Sequence, residues 1–453
     1  MTTVATDLPK KGKGTFAKGV HPPERKGLAA DAIIEVLPTP AQVKIALLQH
    51  VGAPCEATVK PRQEVALGEV VGQSEAFISA PVHASLAGKT ALPCAVTLPN
   101  GRRVQALPIK ADGDQLAGDE LYKDILGGDW PTSGLEQYDP ERIVQTVQAA
   151  GIVGQGGAAF PTYVKLTKND KKPIDTILVN GCECEPYLTA DYRLMVEAPG
   201  PVIAGALLAA RACGARNVVI AVEDNKPLAI DTLQRATKGT DVQVAQLQTK
   251  YPQGGEKQTI TASLGRTVPA GALPLDVGVV VINVGTACAI ARAVLRGKAL
   301  THRVVTVSGD GVVRPRNLLV PIGVSYRELI DFCGGMKSSA SRVIAGGPMM
   351  GQAFGDLDAP VTKGTSGIVV MTRDDVKRAD ETNCLRCGRC VDACPMNLVP
   401  TRLALGSRAK LWDMLGTYNV ASCMECGCCA YVCPASIPLV QLIRMGKAQI
   451  PRE

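Results

Sequence analysis

Aromatic side chains are scarce: five Phe, nine Tyr and two Trp make up 4% of 453 residues. So few rings cannot furnish the stacking platforms on which single-stranded nucleic acid is held. Histidine is rarer still, and the four present (His21, His50, His83, His302) are scattered, with no metal or triad spacing among them. Charge is thin as well. Charged residues are 20% of the chain and the net charge of +7 is too dilute to mark a nucleic-acid face. No apolar run reaches the roughly 20 residues a membrane span requires. The two most apolar stretches, around 202–222 and 277–295, are broken by Arg211 and Arg216 and by Asn283 and Arg292. The first residues, MTTVATDLPKKGKGTF, carry no apolar signal core. A hydrophobic content of 46% excludes a disordered chain, and the length predicts two to four domains with substantial cores.

Cysteine, by contrast, is abundant. Eight of the sixteen form a repeated spacing between Cys384 and Cys433, a distribution that reads as a metal site in a reduced compartment and not as a disulfide scaffold. The cluster runs Cys384-x-x-Cys387-x-x-Cys390-x-x-x-Cys394-Pro395 and again Cys423-x-x-Cys426-x-x-Cys429-x-x-x-Cys433-Pro434. This is the bacterial iron–sulfur run, present twice. Three closely spaced thiolates wrap one cubane, while the fourth is carried onward and caps the other. One [4Fe–4S] cluster is therefore assigned to Cys384, Cys387, Cys390 and Cys433, and the second to Cys423, Cys426, Cys429 and Cys394. A zinc reading needs only two CxxC pairs and leaves four cysteines idle. Cys428, inside the motif, reads as a packed thiol.

Ahead of the cluster the chain divides by pattern. Residues 1–29 are rich in Lys, Gly and Pro and read as an extended arm whose lysines (Lys10, Lys11, Lys13, Lys18) are solvated. Short β-like runs broken by Gly and Pro predict a small β module over 30–130. From 131 to 300 helices and strands alternate, the signature of an α/β domain with a mainly parallel sheet. The segment YDPERIVQTVQAAG places Asp139 at a helix cap and Pro140 in its first turn. Residues 301–360 return to short strands and one helix, and 375–453 holds the cysteines in helix-rich sequence.

Within the α/β region stands Gly151-Ile-Val-Gly154-Gln-Gly156-Gly157-Ala-Ala-Phe160-Pro161-Thr162. Glycines 154, 156 and 157 would let backbone amides approach a phosphate or a flat ring closely. A plain turn explains the same residues, and the run follows a helix where the dinucleotide fingerprint follows a strand. Phe160 also reads as core, Lys165 as a solvated helix lysine, and Glu183 as a helix cap.

Taken in order, these segments resemble the flavin and NADH site of respiratory NADH dehydrogenase flavoprotein subunits. The resemblance sets Gly154, Gly156, Gly157, Phe160 and Lys165 along FMN and NAD(H). It matches the acidic NGxExEP loop with Asn180, Glu183 and Glu185, and a Tyr-x-x-Gly-x-Glu element with Tyr251, Gly254 and Glu256. Asn283 and Thr286 match a later flavin-side segment. Gln155, Ala159 and Lys257 depart from the pattern. Joined with FAKGVHPPERK near the start, ECEPYLTADYRLM at 183–195 and the double cysteine motif, the chain resembles the RnfC family of the Rnf complex, a membrane-bound, ion-translocating ferredoxin:NAD⁺ oxidoreductase.

That resemblance implies a multidomain α/β plus β architecture. Its parts are a barrel-sandwich-like β module, a Rossmann-like FMN/NADH domain, a β-grasp SLBB module and a two-cluster ferredoxin-like domain. The β module lacks a lysine in EAFISAPVHAS, where a lipoyl or biotin group would be attached, so no attachment is expected. The implied activity passes electrons between NAD(H), FMN and two [4Fe–4S] clusters, with no side-chain nucleophile. The implied partners are the other Rnf subunits, an iron–sulfur subunit and integral membrane subunits among them, on the cytoplasmic face of the bacterial inner membrane, with no nucleic acid. Two other readings stand beside it: a soluble flavin and iron–sulfur reductase such as a cobalamin reductase, and a non-catalytic electron wire. The HPPE-containing arm and the leading β module favour the Rnf type. Each cubane with its thiolates carries roughly −2, and an FMN phosphate brings about −2 more, so much of the +7 is counter-charge.

Overall fold

The structure is a computed structural model that describes residues 12–376 and 379–450. Lys10 and Lys11 of the arm lie outside the described residues. The β module is antiparallel throughout. One sheet runs Gln42–Ala46, Arg103–Ala111, Gly88–Thr90, Glu64–Val65, with Cys94–Thr97 paired to Arg103–Ala111; a second runs Glu56–Ala57, Val70–Gln73, Val82–His83.

The α/β domain is built on four parallel strands in the order Val242–Leu247, Asn217–Glu223, Thr176–Asn180, Val279–Asn283. Their near-continuous Val and Ile content is what a sheet covered on both faces demands. The helices read from the sequence are present. Pro140–Ala149 starts as expected, with the Asp139 carboxylate accepting from the Arg142 amide. Chain order reverses between the adjacent strands Thr176–Asn180 and Val279–Asn283, which brings Asn180 and Asn283 side by side at their carboxyl ends. In open α/β sheets that switch point is where ligands bind.

The third sheet joins the other two modules. It runs Ile34–Val36, Arg316–Pro321, His302–Ser308, Gly367–Thr372, Ala340–Ala345, Gln352–Phe354. Every residue of His302–Ser308 is buried. Alternation sends Val304 into the α/β core and Val305 and Val307 into the core shared with the β module, so both faces of this strand are covered. Three segments thereby cross the expected boundaries. Ile34–Val36 pairs in parallel with Arg316–Pro321, Gly367–Thr372 lies beyond residue 360, and helix Gly118–Ile125 puts Leu121 and Ile125 into the α/β core. Strand pairing over hundreds of residues leaves no local pattern in a sequence.

The arm is also tied down. Val20 and Tyr251 exchange backbone hydrogen bonds, Tyr187 donates to the Glu24 carbonyl, and Phe16 is buried. Lys13 is exposed, as expected of a solvated lysine, whereas Lys18 donates to the Val391 carbonyl at 3.1 Å. Lys26 donates to three carbonyls of the acidic loop, those of Glu183, Glu185 and Leu188. Among the described residues no single helix is long and apolar enough to cross a membrane. The bent pair Ala190–Glu197 and Pro199–Cys213 passes that test only when joined, and its second helix is almost wholly packed in the α/β core.

Candidate functional site

The switch point of the parallel sheet assembles most of the expected nucleotide residues. The glycine loop lies against it. Gln155 donates its amide N–H to Thr286 Oγ1 at 2.9 Å and its Nε2 to the Gly285 carbonyl at 2.9 Å. A Cβ on Gly156 would come within 3.5 Å of the Asn283 Cβ, an ordinary contact, and one on Gly157 would meet nothing within 4 Å. Gly157 has φ +119°, a conformation side chains resist. Among the described residues the Gly156 and Gly157 amides have no hydrogen-bond partner, and both glycines are exposed. Open space with free amides suits a phosphate or flat ring, so the loop fits the nucleotide reading better than the plain turn.

Around it, Asn180 Nδ2 donates to the Gly254 carbonyl at 2.7 Å, and Lys165 Nζ donates to Glu256 Oε1 at 2.5 Å and to the Val281 carbonyl at 3.1 Å. Asn283 Nδ2 donates to Asp191 Oδ2 at 2.6 Å, while its Oδ1 accepts from the Gly285 amide and caps helix Val284–Arg296. Burial first, and the neighbouring Glu183 charge second, raise the Asp191 carboxyl to about 7. Phe160 is partly buried beside the loop.

The acidic loop turns elsewhere. The Glu183 carboxylate accepts the amides of Asp191 and Tyr192 and so caps helix Ala190–Glu197. Glu185 accepts the amides of Met349 and Met350 from the third sheet's module, and burial raises its carboxyl to about 7. Tyr251, buried among the iron–sulfur residues, donates its hydroxyl to the Cys426 carbonyl at 2.7 Å. Gly254, Lys165, Asn180 and Glu256 are thus linked around the switch point, whereas Glu185 ties the acidic loop to the third sheet's module and Tyr251 joins the site to the cysteine domain.

The cysteine domain is a duplication visible in the backbone. Offset by the same thirty-nine residues that separate Cys384 from Cys423, left-handed Arg386, Gly388 and Asn397 match Glu425, Gly427 and Ser436. Helices Pro400–Arg408 and Leu439–Lys447 follow the two motifs and pack together. Cys423, Cys426 and Cys429 line one cavity with Cys394 from the other motif. Cys433 lies near Cys390, whose thiol is raised first by burial and further by that neighbour. Among the described residues no three His, Cys, Asp or Glu side chains converge on a single metal ion. Sulfurs spread around a cavity suit a cubane and not a mononuclear zinc.

The two halves differ in surroundings. A Cβ on Gly427 would strike the Met349 carbonyl at 2.7 Å, whereas one on Gly388 would meet nothing. Met424 packs near Gly255, and Gln258 Nε2 contacts Met396 Sδ at 3.4 Å. The half bearing Cys423, Cys426 and Cys429 therefore docks on Met349 of the third sheet's module and, through Met424 and the Cys426 carbonyl, on the α/β domain, while Cys387 is exposed.

Several residues at the site escaped the sequence reading: Gln155 as an anchor, Asp191, Lys26, Lys363 and Arg303. Asp191 had a signal, since it lies within the ECEPYLTADYRLM segment. Lys26 lies within the arm motif. Arg303 and Lys363 had none, because they reach the loop from another module.

Together these features define an electron-transfer protein in which a Rossmann-like nucleotide crevice is joined to a pair of cubane sites. Comparison with known proteins agrees module by module. The RnfC barrel sandwich hybrid domain matches residues 14–114, the Nuo51 FMN-binding domain 147–292, the SLBB domain 304–353 and the 4Fe-4S dicluster domain 378–437. The chain is 44% identical over 437 residues to the C subunit of the proton-translocating ferredoxin:NAD(+) oxidoreductase complex of Clostridium ljungdahlii, covering 96% of this chain and 94% of that one. It is 44% identical over 439 residues to the Na(+)-translocating counterpart of Acetobacterium woodii, covering 96% and 97%. It is 40% identical over 438 residues to the corresponding C subunit of the ion-translocating oxidoreductase complex of Rhodobacter capsulatus, covering 95% and 82%. The chain belongs to the RnfC family, the C subunits of ion-translocating oxidoreductase complexes. Its cofactors are FMN and two [4Fe–4S] clusters.

Proposed function

We propose that Gly154, Gly156, Gly157, Phe160, Lys165, Asn180, Glu183, Glu185, Tyr251, Gly254, Glu256, Asn283 and Thr286 form the site for FMN and NAD(H) in an ion-translocating ferredoxin:NAD⁺ oxidoreductase. The observation that carries this reading is the glycine loop, held by Gln155 at the sheet's switch point with its Gly156 and Gly157 amides unpartnered. FMN supplies the exchange between two-electron nicotinamide and one-electron cubane chemistry. The chain's own residues bind and orient. Lys165 is set by Glu256 and the Val281 carbonyl, Asn180 fixes the Gly254 turn, and the Glu183 and Glu185 carboxylates hold the acidic loop against its neighbours.

Cys423, Cys426, Cys429 and Cys394 are the ligands of the cluster nearer the flavin domain, and Cys384, Cys387, Cys390 and Cys433 those of the outer one. The Tyr251 hydroxyl bond to the Cys426 carbonyl and the packing of Met424 against Gly255 support that order. The exposed Cys387 and Leu385 would present the outer cluster's side of the chain to an iron–sulfur partner subunit, with which that cluster would exchange electrons. The chain sits on the cytoplasmic face of the bacterial inner membrane, held there by integral membrane subunits and not by a span of its own. The test is anaerobic reconstitution followed by NADH addition. Flavin bleaching and then cluster reduction are expected; an unbleached flavin would overturn the reading.

A further inference from the structure

Arg303, on strand His302–Ser308, is a buried guanidinium whose hydrogen bonds all go to main-chain carbonyls. It donates to Val304 at 3.4 Å, to Lys363, and to Gln155 at 3.3 Å. A buried cation is costly unless paired or strongly hydrogen-bonded; among the described residues no carboxylate hydrogen-bonds to this one, and the nearby Asp191 acts on it only through its charge. Its third acceptor lies in the middle of the glycine loop.

The geometry of one peptide unit gives that contact a consequence. The described backbone has a single cis peptide, Tyr251–Pro252, so the Gln155–Gly156 bond is trans. In a trans peptide the carbonyl and the amide point to opposite edges. The Gln155 oxygen faces the buried guanidinium, so the Gly156 N–H faces the exposed side of the loop, where it has no partner. A cation on the carbonyl draws electron density along the amide and strengthens the N–H as a donor. The peptide cannot swivel, because Gln155 is held by Thr286 Oγ1 through its N–H and by the Gly285 carbonyl through its side chain.

We infer that Arg303 is a positioning residue that acts through the Gln155–Gly156 peptide to make the Gly156 amide a charge-assisted donor to an anionic group of the bound nucleotide, whether FMN or the dinucleotide. The inference rests on the nucleotide site proposed above and assigns a role in it to the third sheet's module. Burial lowers the Arg303 guanidinium to about 10, so it stays charged at neutral pH.

The test compares Arg303→Lys with Arg303→Gln in the iron-loaded full-length chain. Both side chains can donate to a carbonyl, but only lysine brings a charge. FMN affinity of the flavin-free chain, and NAD⁺ affinity of the flavin-loaded chain, are each measured. Arg303→Gln should weaken one of them by about tenfold, and Arg303→Lys should restore most of the loss. The arm that responds names the ligand group. Equal weakening by both variants would reduce Arg303 to a structural role, and an unchanged Arg303→Gln would remove it altogether. Should either variant fail to fold, the wild-type chain decides by hydrogen exchange across Gly154–Ala158. Protection on adding FMN or NAD⁺ is expected, and none with either would overturn the inference. Loop protection by the nucleotide together with an unchanged Arg303→Gln sinks this inference alone; flavin that does not bind, or that binds without protecting the loop, sinks the proposed site itself.

Discussion

The Tyr251 hydroxyl donates to the Cys426 carbonyl at 2.7 Å, which ties the Tyr-x-x-Gly-x-Glu turn of the flavin domain to the loop that wraps the inner cubane site. Val20 of the arm pairs with the same tyrosine through backbone bonds, and Cys184, Met349 and Met424 pack around it. A residue that the sequence placed beside the nucleotide is thus also the joint between the two redox modules. Removing its hydroxyl strands a buried carbonyl at a cost of about 1–3 kcal/mol. Tyr251→Phe should therefore retain flavin and iron but loosen the joint. Stopped-flow should show flavin reduction by NADH at the normal rate and cluster reduction slowed. Equal slowing of both phases would place the hydroxyl at the nucleotide instead.

Gly156 tests the crevice without disturbing the fold. An added methyl would rest 3.5 Å from the Asn283 Cβ, and φ there is not left-handed, so the chain itself accommodates it. Gly156→Ala should leave the thermal midpoint and iron content near wild type, with a stability change within about 0.5 kcal/mol. It should weaken FMN or NADH binding by about tenfold or more, because the methyl enters the space the ligand must fill. Unaltered binding in titrations of both would move the ligand away from this loop.

How much of this was readable in advance depends on whether the signal is local. The cysteine spacing is a local signal, and the structure places Cys394 with Cys423, Cys426 and Cys429 around one cavity. The parallel strands and the Asp139 cap were likewise written in short-range pattern. Glu183 illustrates a limit. Both readings of it were available, and its carboxylate is engaged by the Asp191 and Tyr192 amides. Lys18 and Lys26 illustrate another, since a lysine in polar sequence looks solvated until a distant carbonyl is brought to it. Ile34–Val36, Arg303 and Lys363 act only through contacts made across modules, and no window of sequence contains both partners.

Cross-ligation of the cubanes gives a prediction that iron analysis can decide. If Cys394 and Cys426 serve the same cluster, then Cys394→Ser, Cys426→Ser and the double variant should each lose the same cluster, about half of the iron. If each motif instead kept its own fourth cysteine, the single variants would damage different clusters and the double variant would lose nearly all of it. The cavity lined jointly by Cys394, Cys423, Cys426 and Cys429 favours the first outcome.

Lys363 makes stability depend on pH in a defined sense. Its ammonium is 1% exposed and donates to the carbonyls of Pro81 and Gly151 at 2.6 and 2.7 Å, joining the β module to the start of the glycine loop. Two acceptors match the two N–H bonds of a neutral amine, and burial lowers the group from the usual 10.5 to about 7. Between those values the unfolded chain binds a proton that the folded chain does not, so stability rises with pH across that window. The gain is at most about 1.4 kcal/mol per pH unit from this one group. Below about pH 7 the lysine is protonated in both states and its contribution is flat and least favourable. Lys363→Met loses two hydrogen bonds at every pH but has no proton to exchange. The difference in thermal midpoint between wild type and Lys363→Met should therefore widen in favour of wild type from about pH 6.5 to about pH 9. A constant difference would show that the buried lysine keeps its charge.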